Sequence, residues 1–184
     1  MQRPRSLEGV VRKKDNVTVE EAIKTAIQYE NGVRDLYREA VEKAEKPGGK
    51  TLFSLMADEE ERHVKFLEKK LKEFRESGRV AAEGLGTAVP SKERIEAAGV
   101  RLQATLDGKA SGAERGFLRK AYAAESETTE FYRRMVSELP EEARPLFRRF
   151  LDIEEGHLAI VRAQLDRVSS TGYWFDVREF TLEG

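Results

Sequence analysis

The chain of 184 residues is 39% hydrophobic and 36% charged, which gives enough apolar content for one sizeable core and too much charge for a membrane protein. Its 33 basic and 34 acidic residues leave a net charge of −1, so no overall field favours nucleic acid, and Arg133-Arg134 and Arg148-Arg149 read as solvated helix faces. The absence of cysteine excludes a disulfide framework, a zinc ribbon, an iron–sulfur cluster or a rubredoxin-type centre within this chain, and fits a cytoplasmic location.

Residues 1–17 form a polar, basic N-terminal extension without the apolar stretch of a signal peptide, and no apolar run approaches the roughly 20 residues of a membrane span. The first helix is predicted to open at Thr18, where Thr18-Val19-Glu20-Glu21 reads as a capping box. Ala22, Ala26, Val33, Leu36, Tyr37 and Ala40 then recur at helical spacing, up to the breaker Pro47-Gly48-Gly49. A second helix is predicted from about Thr51 to Gly78, on a stripe of Leu52, Leu55, Met56, Val64, Leu67 and Leu71. Residues 79–110 are glycine-rich, with room for one short helix after Ser91, and are long enough to travel the length of a bundle. The third long helix starts at a second capping box, Ser111-Gly112-Ala113-Glu114, and ends at Leu139-Pro140. A fourth runs from about Glu141 to Ser169, with Pro145 tolerable in its first turn and Gly172 closing it. Residues 173–184 form an aromatic tail, and Trp174 with its neighbours reads as a docking cover for the bundle.

Residues 18–172 are therefore expected to form an all-α domain, a four-helix bundle of two helical hairpins joined by one long crossover. One continuous helical coil is rejected because Pro and Gly break the pattern in three places.

The two hairpins repeat each other. An offset of 95 places Glu30 on Glu125, Tyr37 on Tyr132 and Arg38 on Arg133. An offset of 94 places Phe53 on Phe147, Asp58 on Asp152, Glu60 on Glu154 and His63 on His157. A bland hairpin would repeat Leu and Ala, whereas this one repeats Glu, His and Tyr.

Both histidines of the chain stand three residues after a glutamate, in Glu60-Glu61-Arg62-His63 and Glu154-Glu155-Gly156-His157. Residues at i and i+3 share a helix face, so a carboxylate and an imidazole can converge on one metal ion. Glu61 and Glu155 point elsewhere. Glu59 could also face with His63, but its counterpart is Ile153, so only the three-residue spacing is common to both halves. The points midway from Glu30 to the first pair, and from Glu125 to the second, fall beside Pro47-Gly48-Gly49 and at Leu139-Pro140. Each glutamate therefore lies level with its Glu-x-x-His pair across an antiparallel hairpin. Tyr37 and Tyr132 follow Glu30 and Glu125 by two helical turns, close enough to hydrogen-bond a carboxylate of the opposite hairpin.

Four buried carboxylates would repel one another without metal, and two divalent ions would cancel the charge. Oxygen donors with one nitrogen per ion suit iron or manganese, and the lack of sulfur argues against copper(I). A Glu from each of two helices, with Glu-x-x-His from the other two, is the ligand scheme of ferritin-like di-metal carboxylate proteins.

Ala26-Ile27-Gln28-Tyr29-Glu30 with Leu36-Tyr37-Arg38-Glu39, and Met56-Ala57-Asp58-Glu59-Glu60-Glu61-Arg62-His63, resemble the first hairpin of the rubrerythrin branch of the ferritin-like superfamily. The similarity covers roughly residues 20–77 and 112–168. The resemblance implies a non-haem di-iron site, without haem or flavin, that reacts with hydrogen peroxide or oxygen. Its metal ligands would be Glu30, Glu60, His63, Glu125, Glu154 and His157, with Glu60 and Glu154 bridging. Peroxidase members of that branch usually carry a four-cysteine rubredoxin domain. They also have an extra glutamate where this chain has Thr128, with Val33 at the equivalent place in the first helix. The six-ligand set is thus closer to that of ferritin and bacterioferritin. The expected function is that of an oxidoreductase reducing peroxide or oxygen in oxidative-stress defence, as a homodimer fed by an external electron donor. Iron(II) oxidation with iron storage is the alternative, followed by hydroxylation of an organic substrate. A tail as short and irregular as 173–184 does not read as a fifth, cage-forming helix, which counts against storage.

Overall fold

The computed structural model describes residues 17–80, 83–98 and 105–177. Residues 1–16 of the expected N-terminal extension and 178–184 of the aromatic tail lie outside the described residues. Helix α1 (Val19–Lys43) begins at the expected capping box: Thr18 Oγ1 accepts the Glu21 amide, and the Glu21 carboxylate accepts the Thr18 amide. A cap of this kind stabilises a helix by about 1 kcal/mol. After a three-residue turn, α2 (Pro47–Ser77) runs back and ends at Gly78. The crossover contains the short helix α3 (Lys92–Ala98), placed after Ser91 as the sequence suggests, and a strand β1 (Thr105–Lys109) that it does not. Helix α4 (Gly112–Glu138) starts at the Ser111–Glu114 capping box, α5 (Arg144–Thr171) follows, and a short strand β2 (Tyr173–Phe175) pairs antiparallel with β1. The architecture is an all-α, ferritin-like four-helix bundle with one two-stranded ribbon at its end. Among the described residues no helix is long and apolar enough to cross a membrane.

Two boundaries differ from the sequence reading. Pro47-Gly48-Gly49 is not a break but the first turn of α2, with Pro47 at the position where its missing N–H costs nothing. The glycines answer to a distant neighbour. A Cβ on Gly48 would lie 2.4 Å from the Cβ of Trp174, and one on Gly49 would lie 2.7 Å from Glu114 Oε1. Only a bare backbone admits the indole here. The other difference is the start of α5 at Arg144 rather than near Glu141, because residues 141–143 form a turn closed by the Ala143 amide on the Pro140 carbonyl.

The apolar core falls into two layers. One gathers Ala40, Ala44, Leu52, Phe53, Phe117 and Trp174; the other gathers Ala22, Leu67, Met135, Leu139, Leu146 and Phe147. Along each long helix the predicted site residues lie between the stretches that feed the two layers: Glu30 between Ala26 and Val33, and Glu125 between Ala121 and Phe131. The polar groups are thus sealed from both ends of the bundle. Glu114 ties the first layer together, since Oε1 accepts the Lys46 amide at 2.9 Å and Oε2 the Ser111 amide at 2.7 Å.

Candidate metal centre

Helices α1 and α4 each present a glutamate and, two turns on, a tyrosine, and they run antiparallel. Tyr37 on α1 therefore meets Glu125 on α4, while Tyr132 on α4 meets Glu30 on α1. Tyr37 Oη donates to Glu125 Oε1 at 2.5 Å, and Tyr132 Oη donates to Glu30 Oε1. Each phenol holds a carboxylate of the opposite hairpin, as the spacing predicts.

Helices α2 and α5 supply Glu60, His63, Glu154 and His157, and in each the three-residue spacing turns both side chains inward. Glu30, Glu60, His63, Glu125 and His157 are 0% exposed and Glu154 is 1% exposed, so the centre is closed off from bulk solvent. Nδ1 of His63 lies 3.1 Å from Glu30, 3.3 Å from Glu60 and 3.5 Å from Glu154; Nδ1 of His157 lies 2.9 Å from Glu60 and 3.8 Å from Glu154. The two imidazoles stack 5.2 Å apart at 9°, and Phe150 meets the His63 ring edge-on at 5.3 Å while stacking on Tyr132 at 5.0 Å. One ligating atom from each of Glu60, His63, Glu154 and His157 falls within 4.8 Å of the others, tight enough to share an ion. Glu30 and Glu125 flank this group from the other two helices, Glu30 through His63 and Glu125 through its tyrosine.

The electrostatics are those of an anion cluster held by protons. Burial, and then the Glu60 charge, push Glu30 up to about 8 and Glu125 up to about 7. Burial and the Glu30 charge raise Glu154 well above the usual carboxylate range. Burial alone would raise Glu60 too, but the charge of His63, the Glu30 hydrogen bond and the charge of His157 outweigh it and hold Glu60 well below that range. For the imidazoles burial works downward and loses. Glu60 and Glu30 raise His63 to about 9, and Glu154 and Glu60 raise His157 to about 10.

Among the described residues, both oxygens of Glu60 and of Glu154, and Oε2 of Glu125, make no well-aligned hydrogen bond, although His157 Nδ1 comes within 2.9 Å of Glu60. A buried oxygen left without a donor is costly. Five such oxygens converging beside two imidazole nitrogens are the donor set of a hard metal ion, so the residues fit a metal site.

The model of the rubrerythrin family matches residues 21–165. The chain belongs to the rubrerythrin family. The matched span takes in most of each of the four long helices and every residue of the buried cluster, so the site and the family membership rest on the same stretch of chain. No match was found among curated proteins or among solved structures.

One group of the centre is not marked by the repeat. Glu59 is 0% exposed, and its Oε2 lies 3.9 Å from Nε2 of both His63 and His157. The four-residue spacing from Glu59 to His63 was the available signal. The demand that both halves share each feature hid it, because Ile153 occupies the matching place.

Proposed function

We propose that the protein is a di-iron carboxylate oxidoreductase that reduces hydrogen peroxide or dioxygen with electrons from an external donor. The observation that carries this reading is the buried set of four carboxylates and two imidazoles, with unsatisfied oxygens facing inward, in a rubrerythrin-family bundle. Glu30 and His63 would hold one ion and Glu125 and His157 the other. Glu60 and Glu154 would be shared, since each carboxylate comes within 3.8 Å of both imidazole Nδ1 atoms, Glu60 with one oxygen toward each ring and Glu154 with a single oxygen toward both. When bound, iron supplies redox steps and Lewis acidity.

The chain's own groups do the rest. Tyr37 and Tyr132 keep Glu125 and Glu30 aimed across the bundle, and the two apolar layers keep bulk water out. The protons that the raised carboxylates and imidazoles hold in the metal-free protein leave as metal enters. A cleft of about 370 Å³ opens between α1 and α4, and its wall includes Val33 and Thr128, one turn beyond Glu30 and Glu125. Thr128 is buried with its hydroxyl unpartnered among the described residues. This opening suits a reactant as small as peroxide or oxygen.

The test is anaerobic loading with iron(II), metal analysis, and then reaction with peroxide or oxygen in separate runs. About two iron ions per chain, oxidised by either reactant and reduced again by an added donor through many cycles, are expected. Folded protein that takes up one ion or none would sink the reading. Native mass adds a second measure: a dimer is expected, and a closed shell that accumulates iron would replace this reading with storage.

A further inference from the structure

Each imidazole in the centre has a second nitrogen. Nδ1 of both rings faces the carboxylates, and Nε2 of both is buried without a hydrogen-bond partner among the described residues. Both Nε2 atoms lie 3.9 Å from the same atom, Oε2 of Glu59, which is itself buried and unpartnered. One carboxylate oxygen with two lone pairs stands opposite two N–H donors. Closing each gap by about 1 Å makes two hydrogen bonds.

The other oxygen of Glu59 is already engaged. Oε1 accepts from the Arg62 guanidinium and, at 2.9 Å, from the Ala88 amide in the crossover. The crossover is held on the opposite side as well. The Pro90 carbonyl lies only 2.8 Å from where a Cβ on Gly156 would be, and Arg149 Nε donates to the Leu85 carbonyl at 3.2 Å. Glu59 is therefore fixed from outside by a strap that touches both histidine-bearing helices.

We propose that Glu59 is a positioning residue for both histidines: in the metal-loaded protein its Oε2 accepts Nε2–H from His63 and from His157, locking both rings with Nδ1 toward the metals. The assignment rests on the di-metal reading above. It serves two ligands with one carboxylate, and it makes the crossover part of the site's support. Fixing the tautomer and ring angle of a metal-binding histidine through its far nitrogen typically changes metal affinity by about 10- to 100-fold. Glutamine cannot replace it. Four donors converge on Glu59, so the amide NH₂ of Glu59→Gln opposes a donor whichever way it turns.

The chain has only two histidines, which makes the test direct. Full-length, isotope-labelled protein is loaded with zinc(II), a diamagnetic stand-in, and the imidazole N–H resonances are recorded for wild type, Glu59→Gln and Glu61→Gln. Zinc affinity is measured by competition with a chelator. Two slowly exchanging Nε2–H signals are expected in wild type and in Glu61→Gln. Both should be lost or strongly shifted in Glu59→Gln, with zinc bound about 10- to 100-fold more weakly. If Glu59→Gln does not fold, Glu59→Asp keeps the charge and should shift both signals together. Wild type that binds no zinc or iron overturns the di-metal reading and this assignment with it. Wild type that binds metal beside a folded Glu59 variant with unchanged signals and affinity overturns the assignment alone.

Discussion

The two hairpins carry the same working parts and differ where the crossover touches them. Arg38 of the first pairs with Glu61 at 3.1 Å, and Arg133 of the second pairs with Glu155 at 2.9 Å, so even an exposed ion pair is duplicated. The glutamates, histidines and tyrosines match in position, and the tyrosines also in their partners. On the crossover side the match ends. Glu59 and Arg62 in α2 stand where α5 has Ile153 and Gly156, and the strap binds one pair and lies on the other. A repeated hairpin gives two equivalent half-sites. A single strap cannot be symmetric about them, so the residues beneath it had to diverge.

The strongest way to break this comparison is to remove a shared carboxylate. Glu60→Ala and Glu154→Ala should each lower metal content from about two ions per chain to one or none, because either residue serves both ions. Elemental analysis of folded, iron-loaded variants decides. One variant keeping both ions while the other loses them would show that the half-sites are unequal.

The next effect is on pH-dependent stability. In the metal-free protein Glu30 and Glu125 hold protons up to about 8 and 7, against 4.5 when unfolded, and His63 and His157 up to about 9 and 10, against 6.5. The native state thus binds more protons than the unfolded chain, and its stability falls as pH rises between about pH 4.5 and about pH 10. Bound metal opposes this, stabilising by about 4 kcal/mol when free metal is a thousandfold above its Kd. Thermal melts at about pH 6 and about pH 9 should show the metal-free Tm falling and the gap to the loaded protein widening. A metal-free Tm that does not change with pH would mean the carboxylates are not sharing protons as described.

Gly156→Ala sharpens the asymmetry. Its Cβ would press on the Pro90 carbonyl, at a cost of about 1–3 kcal/mol, or a Tm lower by roughly 2–12 °C. Arg62→Ala at the matching place creates no clash and instead removes the half-exposed cation beside the buried Glu59 carboxylate. A Gly156→Ala protein as stable as wild type would contradict the strap's close fit on α5.

The remaining effects fall on the shared tyrosines. Tyr37→Phe and Tyr132→Phe each delete one buried hydrogen bond and should cost about 1–2 kcal/mol, alike in both halves, with both ions retained. Loss of metal in either variant would place the phenols closer to ligation than their geometry indicates.

What the chain order reveals follows from the same contrast. The helices were legible because Thr18–Glu21 and Ser111–Glu114 are local signals, complete within four residues. The six candidate ligands stood out because duplication lifts a pattern above chance, and the structure brings all six into one buried cluster. Glu59 stood out in neither way, since its role comes from the crossover and has no twin. The start of α2 was misread for a similar reason. Pro47-Gly48-Gly49 has the composition of a break, and only the indole of Trp174, far along the chain, explains why glycine is needed inside a helix. The β1–β2 ribbon is likewise non-local, and three to five residues of strand carry too little pattern to announce a partner.

Trp174 also bears on how the molecule assembles. Its indole is wholly buried between the first turn of α2 and Phe53, so two points far apart in the chain must meet before it can leave water. Closing so long a loop costs chain entropy, which the burial of the indole helps to offset. It is the only tryptophan in the sequence. Its fluorescence therefore reports one contact, the seating of residues 173–175 on the first turn of α2, and gives the chain a built-in optical probe of that single closure.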